Sequence, residues 1–235
     1  MSGTDRSLVV VAGGRSRRLG RNKPLVEIDG RTVLSRILEA TAHIADAVLA
    51  VREVPPFERA LAAEGWEPGR GSAGPPGSVT LRGPKGRALL VVPDPVSDLG
   101  PLAGVASGLG AAHGAICVVL AGDLPFVTPD LVDGLSGELA NDAEADAVVP
   151  LARGRAQPLC AAYRREVGRL AARLVARPAT SVDPSPSMMS FLERLRVRYV
   201  SAEQLARIGD LETMVRGVDS RADLEWAERR AARSD

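Results

Sequence analysis

The sequence predicts a single α/β domain with a mostly parallel central sheet and helices on both faces. Three observations carry this. Short continuous apolar runs recur along the chain, and such runs suit strands buried on both faces of a parallel sheet. Segments of helical period separate them, giving the β-α-β-α alternation of an open α/β fold. Polar and charged residues recur just after the apolar runs, at the strand ends where open α/β sheets bind ligands.

The elements follow in order. Residues 8–12 (Leu-Val-Val-Val-Ala) form the first strand, which stops at Gly13-Gly14 and a basic loop. Residues 32–45 read as a helix, with Val33, Leu34, Ile37, Leu38 and Ile44 on its apolar face. Residues 47–51 are a second strand and 57–64 a second helix. Residues 88–92 are a third strand, ending at Pro93-Asp94-Pro95. A helix over 104–112 is expected despite its glycines. Residues 116–121 are a fourth strand, ending at Gly122-Asp123, followed by a helix over 129–141 and a strand over 147–150. Two segments break the regularity. Residues 68–86 are rich in Gly, Pro and Ser and read as a mobile insertion or a loose hairpin around Val79-Thr80-Leu81. Residues 178–186 form a loop in which Pro184 and Pro186 forbid helix. Residues 222–233 are an amphipathic terminal helix. There is no internal repeat.

Composition excludes several classes. The 235 residues carry a net charge of +1, so no gross electrostatic footprint points to nucleic acid. Aromatic residues make up 3%, too few for the stacking platforms of a single-strand binder. No apolar span reaches the length of a membrane helix, and the N-terminal run stops at two glycines and is no signal peptide, so the cytoplasm is the expected location. The two cysteines, Cys117 and Cys160, belong to no CxxC or Cys/His cluster, and Cys117 reads as a buried structural thiol. His43 and His113 fall on predicted helices away from the strand ends and read as structural or surface groups.

The informative stretch is Val11-Ala12-Gly13-Gly14-Arg15-Ser16-Arg17-Arg18-Leu19-Gly20-Arg21-Asn22-Lys23-Pro24-Leu25. Its glycines let the backbone turn sharply and approach a ligand closely. Successive exposed N–H groups can form an anion-binding nest. Arg15, Arg17, Arg18, Arg21 and Lys23 place five positive charges within nine residues of a nearly neutral chain, which builds a local polyphosphate site. A Walker A loop is excluded because Gly20 is followed by Arg-Asn-Lys-Pro, and a dinucleotide loop because the glycine order is Gly-Gly-x-x-x-x-x-Gly.

The run Ala-Gly-Gly-x-Ser-x-Arg-x-Gly-x-x-Lys resembles the nucleotidyltransferases of the molybdenum cofactor guanylyltransferase (MobA-like) type. Three further segments resemble the same family in the same order: Val92-Pro93-Asp94 with Gly100-Pro101-Leu102-Ala103-Gly104, Ala121-Gly122-Asp123-Leu124-Pro125-Phe126, and Gln157-Pro158-Leu159-Cys160-Ala161-Ala162-Tyr163-Arg164. The resemblance implies a Rossmann-like nucleotidyltransferase domain over 1–235, with a nucleotide-binding half over about 1–125 and an acceptor-binding half over about 126–235. It implies transfer of GMP from GTP, with Mg²⁺, to a molybdopterin-type phosphate acceptor, releasing pyrophosphate. Val11, Ala12, Gly13, Gly14, Arg18, Lys23, Asp94 and Asp123 are then the nucleotide-binding residues. Arg18 and Lys23 contact phosphates, as a guanidinium fork and an ammonium point charge suit. Arg15 and Arg17 stand between that role and surface solvation. Asp94 could accept from guanine's N1–H and amine. Asp123, at the end of a buried strand, holds Mg²⁺. Arg18, Lys23 and Asp123 form the catalytic set. Gln157 and Tyr163 bracket the acceptor, or Tyr163 packs within its strand.

The closing motif departs from the family's Asn-Val-Asn-Thr-Pro-Glu-Asp-Leu. Here it is Gly217-Val218-Asp219-Ser220-Arg221-Ala222-Asp223-Leu224, and Asp219 becomes the second candidate metal ligand. The departure leaves open a CTP-using molybdopterin cytidylyltransferase, another cofactor or sugar-phosphate nucleotidyltransferase, and a non-catalytic nucleotide- or pterin-binding paralogue. Oligomeric state is not set by the sequence.

Overall fold

The computed structural model describes residues 5–13, 22–69, 74–94, 100–177, 186–205 and 209–233. The first strand, β1 (Arg6–Val11), is continuous and apolar as expected. After the short 3₁₀ turn Lys23–Leu25 comes a two-stranded hairpin, β2 (Glu27–Ile28) and β3 (Arg31–Thr32). Thr32 then caps α1 (Val33–Ala40), its side chain accepting from the Ser35 N–H at 3.1 Å. This helix is shorter than the sequence suggests. Thr41 leaves helical geometry and donates its hydroxyl back to the Ile37 carbonyl at 2.7 Å, so Ile44 reaches the core from a turn.

β4 (Asp46–Val51) leads to α2 (Val54–Ala63), which starts three residues before the expected Phe57. Pro55 and Pro56 sit in its first turn, where a missing N–H costs nothing. Of the two readings of the Gly/Pro-rich segment, the hairpin is correct for the described part. β5 (Glu67–Pro68) pairs with β6 (Val79–Arg82), which runs antiparallel to β7 (Ala88–Pro93). Next comes α3 (Pro101–Ala111), with Pro101 opening the helix and its glycines serving a purpose. A Cβ on Gly108 would stand 2.2 Å from Val9 Cγ1, and one on Gly104 2.7 Å from Val11 Cγ1. The helix therefore lies flush on β1, closer than any side chain allows.

β8 (Ile116–Ala121) and α4 (Pro129–Asn141) match expectation to the residue, with Thr128 as the cap of α4. Beyond β9 (Ala147–Ala152) the structure contains more than the sequence reading assigned: β10 (Arg155–Ala156), β11 (Cys160–Arg164), α5 (Gly168–Val175), α6 (Met188–Leu192), β12 (Val197–Val200) and α7 (Leu211–Met214). The terminal helix, α8 (Arg221–Ala231), is capped by Ser220 through a box with Asp223. Of the expected loop over 178–186, only Pro186 is among the described residues.

Ten strands of the described residues form one sheet in the order β10-β9-β11-β8-β1-β4-β7-β6-β5, with β12 also on β9. The centre, β8-β1-β4-β7, is parallel, and Val9 pairs with Val48 on one side and Val119 on the other. Antiparallel strands extend it at both edges, because β6 returns by a short turn and β11 inserts between β8 and β9. Alternation along β1 divides the core. Leu8 and Val10 face α1, α2, α4 and α8, and Val9 and Val11 face α3, α5 and α6. With both faces covered, the carboxyl ends of the parallel strands are left as the surface on which a site can form.

Candidate functional site

The carboxyl ends of β1, β7 and β8 meet at one edge. The Ala12 N–H donates to Ala50 O at 2.8 Å, and the Gly122 N–H to Val11 O at 2.9 Å, so the turns after β1 and β8 run side by side. The Asp94 N–H bonds to Val51 O at 2.6 Å, and its carboxylate stands 3.6 Å from where a Gly13 Cβ would be. Gly13, Asp94 and Asp123 thus crowd one edge of the sheet, as the sequence suggests. Val11 and Ala12 are buried beneath it. Gly14, Arg15, Arg17 and Arg18 lie outside the described residues.

Lys23 is placed by its successor. Pro24 packs against Gly122 so closely that a Cβ there would meet Pro24 Cγ at 2.8 Å. This contact brings the Lys23 ammonium to the Asp123 carboxylate at 3.2 Å, and the same ammonium donates to Asp219. Asp219 is carried in from the far end of the chain, where the Val218 N–H donates to the Asp123 carbonyl at 3.0 Å. The motif's departure at position 217 has a steric account. A Cβ on Gly217 would press on Asp123 Cγ and Oδ1 at 3.1 Å, so glycine lets this segment close on the carboxylate. Neither aspartate is spent as a helix cap, since Thr128 caps α4 and Ser220 caps α8.

Burial pushes the Asp123 carboxyl above its ordinary pKa; Lys23 opposes this and Asp219 adds to it, and the net shift is upward. Burial pulls the Lys23 ammonium down, but the hydrogen bond to Asp219 and the attraction of Asp123 outweigh it, leaving Lys23 raised. Two carboxylates converging on one cation are the oxygen donor set a hard divalent ion takes, and here an ammonium stands between them. The residues present therefore fit Mg²⁺. Among the described residues no cluster of three or more acidic, His or Cys groups forms, so such an ion would take its remaining oxygens from phosphate and water.

The other sequence candidates separate. Tyr163 is fully buried, stacks on Phe191 at 6.1 Å and donates its hydroxyl to Pro158 O at 2.7 Å. It packs within its strand and fixes the Gln157-Pro158 turn, and does not bracket a ligand. His113 binds Asp46 and His43 binds Asp133, both by 3.1 Å contacts away from this edge. Cys117 and Cys160 are free and buried, and burial pushes both thiols up to about 12, so both are inert. Arg155 and Arg216, which the sequence reading did not single out, line a cavity near Asp123; the signal was the basic turn Arg153-Gly154-Arg155 just before Gln157. A separate cavity of about 390 Å³ between α1 and the β6–β7 turn holds none of the candidates. No helix among the described residues is long and apolar enough to cross a membrane.

The MobA-like NTP transferase domain matches residues 8–195, four-fifths of the chain, a span that holds Gly13, Lys23, Asp94, Asp123 and Gln157 and stops short of Asp219. The chain belongs to the MobA-like NTP transferase family. Its relatives include the probable molybdenum cofactor guanylyltransferase of Pelotomaculum thermopropionicum, 30% identical over 217 residues, covering 92% of this chain and 88% of that protein. The MobA-like fold is shared with molybdopterin-guanine dinucleotide biosynthesis protein A from Archaeoglobus fulgidus, with a TM-score of 0.72, 24% identity, and coverage of 97% of this chain and 99% of that one. It is shared also with 4-diphosphocytidyl-2C-methyl-D-erythritol synthase from Anaerococcus prevotii, at a TM-score of 0.64 and 15% identity, covering 98% and 97%. Fold alone thus spans proteins named for different nucleotides, and only the site can choose among them.

Proposed function

We propose that this chain transfers GMP from GTP to the phosphate of a molybdopterin-type acceptor, using Mg²⁺ and working in the cytoplasm. The observation that carries the reading is the Lys23 ammonium held between Asp123 and Asp219 at the edge that also bears Gly13 and Asp94. The printed name of the Pelotomaculum relative supports guanylyl transfer in particular.

The reaction needs little covalent help from the protein. An acceptor phosphate oxygen attacks the α-phosphorus of GTP, a new P–O–P linkage forms, the bond from the α-phosphorus to the bridging oxygen breaks, and pyrophosphate leaves with those electrons. Such chemistry depends on positioning and on neutralising developing charge. The backbone of Val11, Ala12, Gly13 and Gly14 cradles the nucleotide, and Arg18 and Lys23 take the phosphates. Lys23 exchanges its carboxylate partners for phosphate oxygens when GTP binds. Asp123 and Asp219 hold the metal, and Mg²⁺ bound there supplies charge neutralisation at the phosphates. Asp94 accepts from guanine's donors, which leaves a carboxylate unsatisfied when another base enters. In this reading, residues from about 1 to 125 form the nucleotide half and those from about 126 to 235 the acceptor half.

Pyrophosphate release, measured across four NTPs with and without molybdopterin, tests this. Turnover should require GTP, Mg²⁺ and molybdopterin together. Equal turnover with CTP would remove the guanylyl assignment, and no release with any NTP would favour a binding module.

A further inference from the structure

Asp123 has a neighbour on each side of its turn, and both lead into one cavity. On one side the Ala121 N–H donates to Leu159 O at 2.6 Å; on the other the Val218 N–H donates to Asp123 O at 3.0 Å. Two residues back along these segments stand Gln157 and Arg216, and both line a cavity of about 550 Å³. Arg153, Arg155, Glu212 and Val215 help complete its wall. The nucleotide-side contacts of Asp123, through Gly122 to Ala12 and Pro24 and directly to Lys23, are separate from these. The carboxylate turn therefore stands between the phosphate-loop end of β1 and this cavity.

The lining is polar and cationic, with three guanidinium groups against one carboxylate. Two of the three are already engaged. Arg153 pairs with Glu212 at 2.7 Å, and Arg216 pairs with Asp223 at 3.0 Å and lies 4.0 Å from the Trp226 ring centroid. Arg155 makes no ion pair among the described residues, although its backbone is fixed on both sides. It pairs with Ala152 across the two-residue Arg153–Gly154 turn, and its carbonyl accepts from Gln157 Nε2 at 3.0 Å. An unspent guanidinium on an anchored strand, beside a polar cavity, is suited to a fork-like contact with a phosphate dianion.

We infer that this cavity is the acceptor subsite, receiving the acceptor's phosphomonoester, and that Arg155 is its principal cation. The inference rests on the reading of the chain as a transferase with a phosphate acceptor, and deepens it by locating that acceptor. Arg155 lies on the surface, so truncating it removes charge without opening a cavity in the core.

The test is calorimetric titration of molybdopterin, and of dephosphorylated molybdopterin, into protein saturated with Mg²⁺ and a GTP analogue that cannot be cleaved between its α- and β-phosphates. Arg155→Ala should weaken molybdopterin binding about ten-fold, Arg155→Glu more, and Arg155→Lys should recover part, while affinity for the GTP analogue stays unchanged. Dephosphorylation should cost the wild type at least as much as the alanine variant loses. Wild-type-like molybdopterin affinity in Arg155→Ala and Arg155→Glu would overturn the inference, as would equal binding of the dephosphorylated compound or no binding of molybdopterin at all. The two readings fail differently. Normal acceptor KM in a turning-over Arg155→Glu variant removes only the subsite, whereas Arg155-dependent binding without GMP transfer removes only the transferase reading.

Discussion

Lys23 donates to Asp123 at 3.2 Å and in the same pose to Asp219, so one ammonium is shared by two carboxylates and offsets one of their two charges. Any divalent ion entering there must displace it. Lys23→Met should therefore tighten Mn²⁺ binding to the nucleotide-free protein, by about ten-fold or more, because it removes a competing cation from the carboxylates. The same variant should weaken GTP, which loses a phosphate contact. Mn²⁺ titration followed by electron paramagnetic resonance, beside calorimetry with GTP, reads both effects. Unchanged Mn²⁺ affinity would place the ion elsewhere.

Asp123→Asn keeps the side-chain shape and removes charge. Turnover should fall by at least ~10²–10³, the typical cost of one lost electrostatic contact in a transition state. The Mg²⁺ dependence of GTP binding should flatten, and the urea midpoint should hold or rise, since burial already works against this carboxylate's charge. Near wild-type rate with unchanged Mg²⁺ dependence would clear Asp123 of the role and turn attention to Asp219.

At the opposite end of the parallel strands, Asp46 ties three segments. Its carboxylate accepts from Ser7 Oγ and, at 2.9 Å, from the His113 N–H, and it faces His113 Nδ1 at 3.1 Å. Burial works against this charge, but the Ser7 and His113 contacts win and hold the carboxyl below its ordinary value. A depressed carboxyl contributes stability above its unfolded pKa of about 4, and that stability is lost as pH falls through the lower folded value. Asp46→Asn should cost ~1–2 kcal/mol at pH 7. The gap to the wild type should close as denaturation is repeated at lower pH; a gap independent of pH would mean that charge plays no part.

Two glycines of one helix should respond in opposite directions. In α3, Gly108 meets Val9 at a distance no Cβ tolerates, and Gly110 has open space around it. Gly108→Ala should destabilise by ~1–3 kcal/mol through overpacking. Gly110→Ala should stabilise by up to ~1 kcal/mol through the backbone entropy it removes from the unfolded chain. Urea midpoints of the two variants check this, and a shared sign would show that α3 does not rest on β1 as closely as described.

The sequence by itself determined the parallel centre of the sheet, the edge that bears the candidate site and the residues crowded there. Those features are local. A run such as Leu8-Val9-Val10-Val11 can only be buried, and a glycine or aspartate that ends it must emerge at the strand's carboxyl end. Ile116–Ala121 and Pro129–Asn141 were legible to the residue, because their apolar period and breakers agree. Tertiary structure decided the rest. β11 reads as a motif with mixed small residues, and becomes a strand because β8 and β9 leave room for it between them. Tyr163 is a core residue because that insertion buries it against Phe191. Above all, no spacing in the sequence links Lys23 to Asp219, or Arg155 to Arg216. The first pair is made by Pro24 packing on Gly122 and by the Val218 N–H reaching Asp123, and the second by a two-residue turn facing α7. Long-range pairing of side chains is set by which backbones can approach, and that depends on packing the whole chain at once.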